Sequence, residues 1–418
     1  MRKSNIWSAK AHALDRYRWK LLRQRHGIPG SSVRFLRDAF KDLIFGICAH
    51  FRLANPDIDA SACDFLLLQS APKVIRFQRK KRLIETLRQR QHRLVETALD
   101  VPSALLSSRR LCHPNQSVPL RYFGYAAHAQ WLVRHYRPHI VLNDRNGSYF
   151  APFLRLALDA VDAKLVQLAH ATTLETSSRL GMNDYHYYFL FGRSSLDALL
   201  RRKLIFGTST AVIAGSYMID EAYRLPPATA ERRTLLVLGV GPDKEKLEGY
   251  RRTYALLLEW AIAHPEYQVM VKAHPRSSMA FWNDAQGLAN NLTVLPPTIT
   301  LAEALSQASL IINIMSNAVI EAGLSGRPIL YVNCAQDNDV FGQAEFFPGP
   351  IRDGHTLTKA IEIVERDYEM YCQNSLNFST YHIEHGQKGL DINIEALESI
   401  LRGIPLTVYC SIIPESLS

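Results

Sequence analysis

Two hydrophobic patterns alternate along this chain. Short unbroken apolar runs, Asp64-Phe-Leu-Leu-Leu-Gln69, His139-Ile-Val-Leu142, Leu165-Val-Gln-Leu168, Tyr187-Tyr-Phe-Leu190 and Ala211-Val-Ile-Ala214, are separated by stretches with helical spacing. A strand without polar alternation is buried on both faces, as in a parallel sheet covered by helices. A second series starts at Thr234-Leu-Leu-Val-Leu238 and continues through Gln268-Val-Met-Val271, Leu292-Thr-Val-Leu295, Leu310-Ile-Ile-Asn313 and Pro328-Ile-Leu-Tyr-Val332. The pattern predicts an α/β protein with two doubly wound sheets.

Residues 1–60 carry no such run. Leu36, Phe40, Leu43 and Ile44 fall at helical spacing, with a Gly27-Ile-Pro-Gly30 break, which predicts a basic helical extension. Leu83, Ile84, Leu87, Leu94 and Val95 share one stripe and predict an amphipathic helix after the first strand. Leu225-Pro-Pro-Ala-Thr-Ala-Glu-Arg-Arg233 is rich in turn formers and charge, as an exposed interdomain linker would be. The expected organisation is therefore an extension at 1–60, a first domain at 61–224, a linker at 225–233, a second domain at 234–365, and helices with a tail at 366–418.

Composition keeps this picture within the globular class: 418 residues, 47% hydrophobic, 21% charged. No apolar run approaches the roughly 20 residues of a membrane span, and the first residues lack the apolar core of a secretory signal. The six cysteines are scattered without a C-x-x-C pair, so neither a disulfide framework nor a zinc knuckle is expected, and a reducing cytoplasm suits them. A net charge of +10 asks for an acidic partner. Much of the excess lies early, around Lys20, Arg23 and Arg25 and in Arg76-Phe-Gln-Arg-Lys-Lys-Arg82. Anionic lipid on the inner face of the membrane fits such a localised surface, and so does a plain solvated helix face. Phe77 is the sole aromatic in that basic run, so nucleic acid is not the expected partner.

In open α/β sheets ligands bind beyond the carboxyl ends of strands, so the residues after each run are the ones to weigh. After Gln268–Val271 comes Lys272-Ala-His274-Pro275-Arg276-Ser277-Ser278. Lys272 and Arg276 offer charge, His274 a directional donor, and a helix starting near Ser277 would add backbone N–H groups, a setting for phosphate. His113-Pro114 and His264-Pro265 also occur, but only His274 follows a buried strand. After Leu310–Asn313 come Ser316 and Asn317 at a helix start, with Glu321 one turn later. The first two suit an anion or a simple cap; the third suits the two hydroxyls of a ribose or a plain exposed helix acid. In the first domain, Asp144 after Ile-Val-Leu142 and His170 before Ala171-Thr172-Thr173 are the candidate general bases, Asp144 being equally explained as an Asx turn. Gly239-Val-Gly241-Pro-Asp-Lys244 matches neither dinucleotide nor P-loop pattern, and His382-Ile-Glu384-His385 lacks the order of a zinc site, so no metal and no cofactor are expected.

Over roughly residues 138–333, the strand ending at His170, Asp184-Tyr185, Ala214-Gly215-Ser216, Lys272-Ala-His274-Pro275 and Ser316-Asn317 with Glu321 resemble, in order, the GT-B transferases of capsule, lipopolysaccharide and teichoic-acid assembly. That group includes CDP-glycerol glycerophosphotransferases and the His-Pro-motif sialyl- and Kdo-transferases. The resemblance implies two Rossmann-like domains facing a cleft. It implies donor phosphate on His274 and the Ser316–Asn317 turn, ribose on Glu321, and a metal-independent transfer from a CMP- or UDP-sugar to a saccharide or lipid-linked acceptor. The sialyltransferase-like acidic pair before glycine is replaced by Asp144-Arg145-Asn146-Gly147, and His170 is followed by Ala171 where the glycerophosphotransferases have glycine. Glycosyl transfer is thus the expected activity. Polyol-phosphate transfer, a sugar-nucleotide epimerase of the same architecture and a basic nucleic-acid-binding protein are the alternatives.

Overall fold

The computed structural model describes residues 5–55, 62–78, 80–172 and 178–416. The chain forms two compact units, Met1–Met218 with Lys388–Ser418, and Ile219–Gln387. In the first, β1 (Phe65–Gln69), β2 (Leu94–Ala98), β3 (Ile140–Asn143), β4 (Lys164–Leu168), β5 (Tyr187–Leu190) and β6 (Ser209–Ile213) are parallel, in the order β6-β5-β4-β3-β1-β2. In the second, β7 (Thr234–Leu238), β8 (Gln268–Lys272), β9 (Leu292–Val294), β10 (Leu310–Asn313) and β11 (Ile329–Tyr331) run β11-β10-β7-β8-β9, also parallel. The central strands β1, β3, β7 and β10 are buried along their whole length, which is what their unbroken apolar runs demand.

Two elements differ from the sequence expectation. Two helices follow β1, Pro72–Arg76 and Lys81–Gln89, and the chain then turns through Gln91, at φ 66°, into β2. Leu94 and Val95 lie seven and eight residues beyond Leu87, so a helical stripe and a new strand look alike there. The tail also contains β12 (Cys410–Ile413), an antiparallel edge strand on β6. Residues 366–418 accordingly divide. The helix Tyr368–His382 belongs to the second unit, whereas Gly389–Arg402 returns to the first, where Asn393 Nδ2 donates to the carbonyls of Ala214 (2.9 Å) and Gly215 (3.2 Å). The segment 225–233 lies within the second unit and is not a free linker. Buried Arg327 donates to the Pro226 carbonyl at 3.0 Å, and Arg232 to that of Ser306 at 2.7 Å.

The N-terminal residues form a structural layer of the first unit. α1 (Ile6–Arg23) and α2 (Ile28–His50) are tied by a buried ion pair, Arg18 to Asp42 at 2.6 Å, and Tyr125 of the helix Leu120–Tyr136 donates to the same carboxylate at 2.7 Å. Lys10 and Arg155 both reach Asp184, each at 2.9 Å. Asp184 is buried, so this part of the motif read from the sequence holds α1 in place.

Two buried histidines make this fold acid-sensitive. His128 donates through Nδ1 to the Arg110 carbonyl and His382 through Nε2 to that of Phe341, leaving the other ring nitrogen of each buried without a partner. A second proton would sit in an apolar site, so burial lowers both pKa values to about 4. A depressed folded-state value means stability that is present above the unfolded value of about 6.5 and is lost as pH falls toward 4. Urea titrations at pH 7 and pH 5 should show a loss of about 2 kcal/mol per histidine, halved in His128→Asn.

Candidate functional site

The strand order of the second unit reverses at β7, whose neighbours are β8 and β10. Loops leaving adjacent strands on opposite sides of a reversal part from one another and open a crevice. The loop after β7 begins with Gly239, where an added Cβ would lie 2.9 Å from Ala273 Cα and 3.1 Å from the His274 nitrogen. Only glycine lets the loops after β7 and β8 pass this closely. The resulting cavity, about 520 Å³, is lined by Lys272 and His274 from the β8 loop, by Ser316, Asn317 and Glu321 from beyond β10, and by Gly239, Gly241, Tyr223 and Thr300.

His274 accepts the backbone N–H of Arg276 at Nδ1, 3.1 Å away. That contact assigns the neutral ring's proton to Nε2, making it a donor. Gly241 stands on that side, an added Cβ there lying 4.0 Å from Nε2. Lys272 is half-buried, and its ammonium has no hydrogen bond or ion pair among the described residues. Burial lowers its pKa, with Glu303 opposing. An anion entering the cavity would offset the cost of that desolvation by its charge.

Opposite them, Ser316 donates its backbone N–H to Asn313 Oδ1 (3.1 Å), and Asn313 Nδ2 donates to Gln343 Oε1 (2.6 Å), so a buried amide shapes the turn. Asn317 occupies the N-cap position of the helix Ala318–Gly323, yet its side chain makes no capping hydrogen bond. The capping explanation for this polar pair is therefore not realised. Glu321 is half-buried and burial raises its pKa. The Tyr223 phenol is raised by its own burial and then by the charge of Glu321, and both residues line the same cavity.

Arg276 and Ser277 are outside this lining. Ser277 donates to the Glu245 carboxylate and accepts the Met279 N–H at 2.9 Å, and the next helix starts only at Ala280, so no helix N-terminus lies at Ser277. In the first unit Asp144 is held too. Buried Lys80 donates to its Oδ2 at 2.5 Å and to Gln69 Oε1 at 2.9 Å, so the candidate base sits in a buried polar cluster, its Oδ1 without a hydrogen-bond partner among the described residues. His170 is exposed two residues beyond β4, and Thr173 lies outside the described residues. A cavity of about 710 Å³ opens at the reversal between β1 and β3, lined by Ser70, Asp100, Tyr125, Arg145 to Phe150, Tyr17 and Leu21 of α1, and Arg25 just beyond it.

Among solved structures the chain is similar to a protein described as UDP-N-acetylglucosamine 2-epimerase from Listeria monocytogenes, with a TM-score of 0.54 and 12% identity over 82% of this chain and 98% of that one. It is similar also to MnaA of S. aureus in a co-structure with UDP, at a TM-score of 0.51 and 11% identity over 81% and 97%. No family model and no curated protein matches the sequence. The fold is GT-B.

Within the GT-B fold, the residues that sequence reasoning passed over are Tyr223, Gly239, Gly241 and Thr300. The two glycines gave a signal, a flexible turn directly after a buried strand, which carried no weight because it matches no phosphate-binding pattern. Tyr223 gave none, since it precedes the first strand of its unit and reaches the cavity only through the docking of 219–233.

Proposed function

We propose that the second unit binds a pyrimidine nucleotide-sugar, CMP- or UDP-activated, and that the protein is a glycosyltransferase of surface-polysaccharide assembly. The observation that carries the reading is one cavity, at the strand-order reversal, into which Lys272, the Nε2–H of His274 and the uncommitted Ser316 and Asn317 side chains converge. The cations and donors would hold the phosphate and stabilise its negative charge as the sugar departs, without a metal. Glu321 would accept the ribose hydroxyls, and Ile299, Leu301 and Met315 supply an apolar wall.

The acceptor, a saccharide or lipid-linked sugar, is assigned to the first-unit cavity; His170, exposed beyond β4 and not part of that cavity's lining, is the candidate base, since Asp144 is paired with Lys80. Transfer is favoured over epimerisation by the state of the carboxylates at these strand ends. An epimerase needs several acids free for proton transfer, whereas Asp144 is paired with Lys80 and Asp100 with Arg110 at 2.9 Å.

Thermal-shift titration with CMP, CDP, UDP and GDP tests this. One pyrimidine nucleotide should raise the melting temperature of the wild type, about 2.7 kcal/mol of stabilisation at a hundredfold excess over Kd, and should fail to do so in His274→Ala. No shift with any nucleotide in folded protein would sink the reading. Consumption of a UDP-sugar with no acceptor present would reassign the protein to the epimerases.

A further inference from the structure

α2 presents an apolar face that nothing in the described chain covers. Val33, Leu36, Phe40, Ile44, Ile47 and Phe51 are all exposed, from 40% for Ile47 to 80% for Phe51. At about 100° per residue these positions fall within an arc of about 80°, a single stripe about 27 Å long. The opposite face buries Ser31, Asp42, Phe45 and Ala49. It cannot roll over, because Gly46 meets the helix Leu120–Tyr136 so closely that an added Cβ would lie 1.7 Å from the Leu120 carbonyl oxygen. A continuous stripe of this size facing water marks an interaction surface.

The charges beside the stripe choose the partner. Arg34, Arg37, Lys41 and Arg52 are exposed along one flank and His50 along the other. The acids of the helix are spoken for, Asp38 by Arg37 at 2.9 Å and Asp42 by Arg18 beneath the helix. Arg37 is answered by Asp38, but a second copy of this surface would set Arg34, Lys41 and Arg52 against their like with no acid of the helix left to answer them, whereas phosphate headgroups answer all three. We propose that α2 lies in the plane of an anionic bilayer surface, with the six apolar side chains among the upper acyl chains and the arginines and lysine at the phosphates. The placement does not depend on what the second unit binds.

Co-sedimentation of the full chain with vesicles of equal parts phosphatidylglycerol and phosphatidylcholine tests the proposal. Wild type should pellet with these vesicles, less so in high salt, and hardly at all with phosphatidylcholine alone. Leu36→Ser/Phe40→Ser/Ile44→Ser and Arg34→Glu/Arg37→Glu/Lys41→Glu should each cut partitioning by about tenfold or more. These side chains are exposed, so both variants should keep the wild-type circular dichroism and melting temperature. Wild type staying in the supernatant, or pelleting that the serine variant does not weaken, overturns the proposal. So does a wild-type dimer in sedimentation equilibrium that the serine variant converts to monomer, which would assign the stripe to self-association.

Discussion

Asp144→Ala is expected to unfold in urea with about 3–5 kcal/mol less stability than the wild type, the usual result of stranding one member of a buried ion pair. The magnitude follows from burial. Lys80 is 3% exposed and Asp144 7%, so removal of the carboxylate leaves an ammonium with only Gln69 for company. The reverse change, Lys80→Met, should cost a similar amount, and pairing it with Asp144→Leu should recover most of the loss, since two apolar groups leave no charge behind. Urea titration followed by far-ultraviolet circular dichroism reads all three. Unchanged stability in Asp144→Ala together with abolished turnover would restore Asp144 as the catalytic base.

Gly46→Ala should destabilise the first unit by about 3 kcal/mol even though alanine is the better helix former. Helix propensity alone would favour alanine by about 1 kcal/mol. Against it stands the Leu120 carbonyl oxygen, 1.7 Å from where the Cβ would be, a backbone atom with no rotamer to escape into. Gly124, across the same interface, meets the ring of Phe45 at 2.5 Å and should behave alike. Gly30, in the first turn of the same helix, has as nearest neighbours Arg34 Nη1 at 3.2 Å and His26 Cβ at 3.6 Å, so Gly30→Ala should be neutral or mildly stabilising. Thermal melts of the three variants give the comparison; equal melting temperatures would mean that the two helices are not held backbone to backbone.

The sequence by itself determined the α/β class, ten of the strands, and the loops after β8 and β10 as the place to seek a nucleotide. Burial on both faces imposes unbroken apolar runs, and the residues following such runs must lie at the carboxyl edge of the sheet. Periodicity names a helix but not its environment. Leu36, Phe40 and Ile44 mark α2 in the sequence, yet they face outward, because the close approach at Gly46 commits the opposite side to the core. Partner choice was likewise hidden. Asp144 directly follows a buried strand and Glu321 sits one turn into the helix after another; only tertiary packing sets Lys80 against the first, while the second, without an ion pair among the described residues, lines a cavity with Tyr223. The destination of the tail was decided in the same way. Asn393 and β12 satisfy backbone groups of the first sheet from nearly two hundred residues away, and hydrogen bonds over such separations leave no local pattern in the chain to read.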